Sequence, residues 1–166
     1  MAFVAFLKAT VLGCAGSATL LAALALAGAA ESGDGLVIPI AAAWWVIAGI
    51  TGIWVGRQND ASPAVAKLLA AAPTSPSLPE VHPTRMLVNR LWPLLIATLG
   101  AGAFVLTAPQ VPAMAAGFPV IWALAWRRQE KAVSAIEERD GVKFFLEKTS
   151  PIKPIKLVRT PWFRTG

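Results

Sequence analysis

The chain has 166 residues, 56% of them hydrophobic and 14% charged, with 15 Lys and Arg against 9 Asp and Glu for a formal net charge of +6. An ordinary soluble domain is roughly one quarter charged, so a mean hydropathy of +0.61 argues against a fold surrounded by water, which would have to expose much of this apolar surface. The single Cys14 excludes a disulfide within the chain, and the lone His82 has no second histidine or cysteine to complete a zinc site.

The charges are segregated. Between Ala9 and Gly56 only Glu31 and Asp34 carry one, and none lies between Leu91 and Trp126. Four apolar stretches are therefore expected to span a membrane, at about 3–29, 36–56, 91–108 and 111–126. At about 1.5 Å per residue the first three reach across roughly 30 Å of hydrocarbon, while the fourth needs local thinning or snorkelling of its terminal arginines. The fold class expected is an all-α membrane protein. Its four transmembrane helices form two hairpins in a domain covering 1–126, joined by a cytoplasmic loop at 57–90. A basic cytoplasmic tail, 127–166, contributes a small helix and a β-hairpin.

The first stretch ends in "LALAGAA", which resembles the small-residue site of a secretory signal. Its leading "MAFVAFLK" is apolar, however, and its apolar run is long for a signal, so it is read as a retained helix. On the second stretch, Gly52 and Gly56 are four apart, as are Thr98 and Gly102 on the third and Ala113 and Gly117 on the fourth. Such spacing lets helix backbones approach closely, making Gly52, Gly56, Thr98, Gly102 and Gly117 candidates for helix packing. Trp54, Trp92 and Trp126 sit beside Arg57, Arg90 and Arg127, as indoles at a headgroup boundary do. Trp44 and Trp45 lie deeper and point about 100° apart on a helix, so one of them is a candidate contact for an apolar ligand. Pro119 should bend the fourth helix.

The central loop opens with "SPAVAKLLAAA", where Ser62 is a candidate N-cap and Pro63 occupies the first helical position. Val65, Leu68 and Leu69 share one side, which predicts a short helix lying on the membrane surface. "PTSPSLPEVHPTR" has four prolines in thirteen residues and predicts an extended strap. After Trp126 the fourth helix is expected to run on through "RRQEKAVSAIEERDG" and stop at Gly141. "VKFFLEK" and "IKLVR" then read as two strands around "TSPIKP".

An isolated hairpin is marginal in water, so this one needs support. Phe144, Phe145, Leu146, Leu157, Trp162 and Phe163 are candidates for docking the tail. Arg127, Arg128, Lys153, Lys156 and Arg159 are candidates for contact with anionic lipid headgroups, at about 1 kcal/mol per well-placed charge. Glu137, Glu138 and Asp140 form an acidic patch that reads as solvated charge. No DNA- or RNA-binding motif accompanies the basic composition, and no nucleic-acid partner is expected.

All fifteen Lys and Arg fall near the N-terminus, in the central loop or in the tail, while the opposite side receives "ESGDG" and "TAPQVP". The excess of bases on cytoplasmic loops predicts cytoplasmic N- and C-termini in a bacterial plasma membrane. Short matches between "TVLGCAG" and "ATLGAG", and between "VIAGITGIWVGRQ" and "VIWALAWRRQ", hint at two parallel hairpin repeats.

"LVNRLWPLLIATL", "AAGFPVIWALAWRRQEKAV" and "AIEERDGVKFFLEKTSPIKPIKLVRTP" together resemble parts of small uncharacterised integral membrane proteins of actinobacteria. That resemblance covers much of the chain, implies a bacterial plasma membrane and lends no catalytic residue. No phosphate loop, intramembrane carboxylate pair or metal cluster is evident, so no catalytic site, metal or cofactor is expected. The leading functional expectation is an accessory or assembly subunit of a larger inner-membrane complex. Its partners would be membrane lipids, anionic headgroups included, and another membrane protein or a second copy. The alternative is a small transporter or lipid-binding protein built from the two hairpins.

Overall fold

A computed structural model of the chain describes residues 1–33, 35–75, 82–147, 149–150 and 153–161. Among them run α1 (Phe3–Ser32), α2 (Val37–Val55), α3 (Pro63–Ala70), α4 (Pro83–Gly102), α5 (Gln110–Trp126), α6 (Gln129–Asp140), β1 (Val142–Leu146) and β2 (Leu157–Pro161). The fold is a helical bundle finished by a short antiparallel hairpin. It divides into two compact units: unit 1 holds Met1–Ala9, Gln58–Arg90 and Arg128–Gly166, and unit 2 holds Thr10–Arg57 and Leu91–Arg127.

In unit 2, α1 and α2 are long and apolar enough to cross a membrane. The expectation of three full-length spans is corrected at the third. Its helix ends at Gly102 rather than Ala108, and residues 103–108 fold into tight turns, including Val105 N–H to Gly102 O at 3.1 Å and Ala108 N–H to Phe104 O at 2.8 Å. The first two turns of α4 carry Arg85, Asn89 and Arg90, so only residues 91–102, about 18 Å of helix, are free of charge. α5 has 17 residues and is short as expected.

The helices of unit 2 pair in parallel. Gly13 lies beside Leu91 and Leu94, Gly102 beside Leu24, and Gly28 against Val105 and Pro109, so α1 and α4 ascend together. Ala41 clusters with Ala113, Gly52 meets Ile121 and Leu124, and Gly56 meets Leu124 and Ala125, so α2 and α5 do the same. "VIAGITGIWVGRQ" therefore lies level with the stretch that it matches. "TVLGCAG" does not, because Gly13 faces Leu91 and Leu94 where the match would pair it with Gly100.

Unit 1 has a core of larger side chains. Phe3, Leu7, Val65, Met86, Val133, Phe144, Leu146 and Leu157 are all buried. The Ser62 hydroxyl accepts from Val65 N–H at 3.4 Å and Pro63 opens α3, so the capping signal operates as read. The apolar side of α3 is not turned to a membrane surface, however: Val65 and Leu69 are buried within the protein. The strap is also shorter than expected, since α4 begins at Pro83, where the missing N–H costs nothing, and makes Thr84 and Arg85 helical. Residues 76–81 of that strap lie outside the described residues.

The expected continuous helix beyond Trp126 is interrupted at Arg127 and Arg128, and α6 begins at Gln129. Tertiary bonds hold its start: the Gln129 side-chain oxygen accepts from Ser62 N–H at 2.9 Å, and Arg128 donates to Asn59 Oδ1 at 2.8 Å. α6 ends where the sequence predicts, with Gly141 in the left-handed region at φ 62°, a conformation that costs glycine least.

β1 and β2 pair antiparallel from Val142 with Pro161 to Leu146 with Leu157. Both outer edges of this hairpin are covered. Ala2 bridges Phe145 and Leu146 N–H donates to Met1 O at 3.0 Å; on the other side Arg159 N–H donates to Pro73 O and Ser75 N–H to Arg159 O, each at 3.0 Å. Exposed strand edges invite further pairing, and here two separate parts of the chain close them, Met1–Ala2 on one side and residues 73–75 on the other.

Candidate functional site

Two places gather the residues singled out from the sequence. In unit 2 it is the line where α2 meets α5. Trp45 donates its indole N–H to Ala113 O at 2.8 Å and Trp44 donates to Met114 O at 2.9 Å. Trp44 lies over Gly117, where an added methyl group would overlap the indole, and stands edge-on to Phe118 at 5.8 Å between ring centroids. A methyl at Gly52 would come within 2.8 Å of Leu124 Cβ and 3.0 Å of Ile121 O, and one at Gly56 would overlap Leu124 O. Both tryptophans thus bind the neighbouring helix. An open cleft of about 280 Å³ at one end of the pair is lined instead by Leu36, Val37, Ile40, Ala41, Gln110, Ala113 and Met114.

Thr98 and Gly102 sit on α4. Thr98 is buried, and its hydroxyl donates to Leu94 O in the preceding turn at 2.7 Å; Gly102 faces Leu24 of α1. The indole of Trp54 carries the Arg57 guanidinium 5.4 Å from its centroid, a cation–π contact at the last residue of a unit 2 segment. Arg127, the last residue of the other segment, is half-buried.

The second place is the hairpin of unit 1. Phe144, Leu146 and Leu157 are buried within that unit and Phe145 is half-buried; Trp162 and Phe163 lie outside the described residues. Phe144 N–H donates to Glu137 Oε1 at 2.9 Å, tying β1 to α6. Burial pushes the Glu137 carboxyl above its ordinary range, and the Phe144 N–H and the Lys143 charge oppose that shift. Lys153 and Lys156 are exposed. Arg90 donates to Lys153 O at 2.6 Å and to the Thr149 hydroxyl, while its buried Nε has no partner among the described residues and burial lowers its pKa.

Between α3, α6 and the hairpin lies a cleft of about 440 Å³, lined by Ala66, Leu69, Ala70, Ile136, Arg139, Asp140, Val142, Phe144 and Arg159. On its rim Arg139 Nε donates to Asp140 Oδ1 at 2.7 Å, and Arg159 Nε donates to Thr74 Oγ1 at 2.7 Å. Hydrogen bonding to Arg139, reinforced by the charges of Arg139 and Arg159, holds the Asp140 carboxyl below its ordinary range.

Comparison with protein-family models, with curated proteins and with solved structures finds no match. Among the described residues no group of three or more His, Cys, Asp or Glu is placed to hold a metal ion.

Sequence reasoning did not single out Leu69, Ile136 and Arg139 as parts of one cleft, because α3 and α6, which carry them, lie far apart in the chain. It also assigned Phe3, Phe6 and Leu7 to the first span, although they belong to unit 1. Their spacing of three and four marks one helix face, which was the available signal.

Proposed function

We propose that the protein is a multi-pass resident of a bacterial plasma membrane, with four crossings and both ends in the cytoplasm. It serves a larger membrane complex as an accessory or assembly subunit without a catalytic site of its own. The observation that carries the topology is the composition of unit 1, which combines an N-terminal segment, the central loop and the tail in one core. Segments that share a core share a compartment, so the chain between residues 9 and 58, and again between 90 and 128, crosses an even number of times. The shortness of residues 91–102 as an apolar helix is met by local thinning of the bilayer and by the turns that follow.

Charge supports the same orientation: the only bases in unit 2, Arg57 and Arg127, end its two segments. The exposed Lys131, Lys153 and Lys156 meet anionic headgroups. Labelling single cysteines in intact cells tests the topology: Gly35→Cys should react from outside, and Gln58→Cys only after permeabilisation. Gentle extraction followed by mass spectrometry tests the role. A protein partner recovered in constant stoichiometry is expected, and its absence would sink the subunit reading.

The parallel pairing of α1 with α4 and α2 with α5 favours one alternative, a small transporter or lipid-binding protein made of two hairpins related by an axis along the membrane normal. Under that reading Trp44→Ala and Trp45→Ala should alter ligand uptake, and unchanged uptake would remove their role.

A further inference from the structure

The cleft of unit 1 joins an apolar wall to an unequal set of charges. Leu69, Ile136 and Phe144 contribute apolar wall, and Arg139, Asp140 and Arg159 supply the charges. Its volume of about 440 Å³ lies inside the range of roughly 300–1,000 Å³ typical of sites that enclose a ligand.

The charges are unequal. Two guanidinium groups face one carboxylate, and that carboxylate is committed to Arg139, which binds it through Nε at 2.7 Å and through a terminal nitrogen at 3.3 Å. Arg159 is anchored differently. Among the described residues its side chain binds only the Thr74 hydroxyl, through Nε, so the terminal nitrogens of the fork remain for an incoming acceptor. A carboxylate suits such a fork better than any neutral group. An apolar wall beside an arginine whose terminal nitrogens are open calls for an apolar side chain with an acid next to it.

We propose that this cleft is the docking site for an acidic, apolar peptide segment of the partner subunit. An apolar side chain of that segment seats against Leu69, Ile136 and Phe144, and a neighbouring carboxylate closes on Arg159. The proposal rests on the accessory-subunit reading and gives it a location. A concave, apolar-walled site takes side chains, whereas headgroups meet the outward-facing lysines elsewhere on the unit.

The test uses the full chain in nanodiscs of phosphatidylcholine, with three labelled, end-capped peptides as probes: Leu-Glu-Phe-Leu-Glu-Leu and its Gln and Lys counterparts. Fluorescence anisotropy should show the Glu peptide binding about tenfold more tightly than the Gln peptide, as loss of a charge-assisted bond predicts, and the Lys peptide weakest. Arg159→Glu, with its fold checked by circular dichroism, should reverse the order. Ile136→Glu, on a half-buried wall position, should abolish binding of the Glu and Gln peptides without disturbing the fold. Equal binding of all three peptides, no binding of any, or an unchanged order in folded Arg159→Glu would overturn the proposal. So would binding of dodecanoate with none of the peptides, which would make the site one for a small amphiphile. If the peptides fail while a stoichiometric partner is still recovered from native membranes, the cleft is wrong and the subunit reading stands. If they bind while no partner is recovered, the reverse holds.

Discussion

The two units of this chain bury opposite things. Unit 1 hides Phe3, Leu7, Val133, Phe144 and Leu146, as a small domain in water must. Unit 2 hides chiefly small residues, among them Ala18, Ala25, Ala29, Ala41, Ala48, Ala113 and Ala116, with Leu21 and Val37 the larger exceptions. Among the described residues, every exposed large hydrophobic side chain except Val88 belongs to unit 2, including Ile50, Leu99 and Trp122. Apolar area drives association only where the alternative solvent is water. Where it is hydrocarbon, close packing of small residues and bonds between helices must do so instead. On the membrane topology proposed above, the contrast is one between two solvents met by a single chain.

That contrast predicts opposite sensitivities. The largest losses should come from shrinking the core of unit 1: Phe3→Ala and Leu146→Ala should each cost about 2–5 kcal/mol, seen as earlier proteolysis of the tail in a urea series. Ile50→Ala on the exposed face of α2 should stay within about 0.5 kcal/mol in detergent. Equal losses at the three positions would erase the distinction.

Enlarging side chains should invert the pattern. Gly56→Val and Gly117→Val force α2 and α5 apart and should cost about 1–3 kcal/mol or more, read as a lower melting temperature in detergent. Gly49→Ala, where an added methyl meets nothing within 4 Å, should be neutral or stabilising. Smaller than the losses at Gly56 and Gly117 is the effect expected of Trp45→Phe, which removes the N–H given to Ala113 O and should cost about 0.6–2 kcal/mol as polar bonds between membrane helices do.

The least effect concerns Glu137. Its carboxyl is raised above the ordinary glutamate value of about 4.3 by burial, so the folded unit holds its proton more tightly than the unfolded chain does. The stability due to this group is therefore greatest below that value and is lost as pH rises through the folded pKa. Glu137→Gln keeps an acceptor for Phe144 N–H and abolishes this dependence. Unit 1 of the variant should equal or exceed wild type at neutral pH, with any gap closing on acidification in paired urea titrations.

Local signals were the legible ones. The Ser62 cap, the Gly141 stop and the strand run "VKFFLEK" each act over a few residues, and each forms its element as read. The break at Arg127 and Arg128 was hidden, because the residues around it are good helix formers and the bonds that hold it come from Asn59 and Ser62. The glycines of α2 were visible as a spacing, but nothing in the sequence tells that Gly56 faces Leu124 or that Trp44 lies on Gly117. The cleft was least legible, since α3, α6 and β2 each lend it only one or a few side chains across some ninety residues of chain.

Unit 1 also carries a schedule. Phe3 and Leu7 leave the ribosome long before the strand that pairs with β1 and holds Thr74, which extends to Pro161. At synthesis rates of about 5–20 residues per second, Phe3 and Leu7 wait roughly 8–30 s for the last piece of their core. During that interval their apolar face needs shelter, and a ribosome stalled before β2 leaves it uncovered.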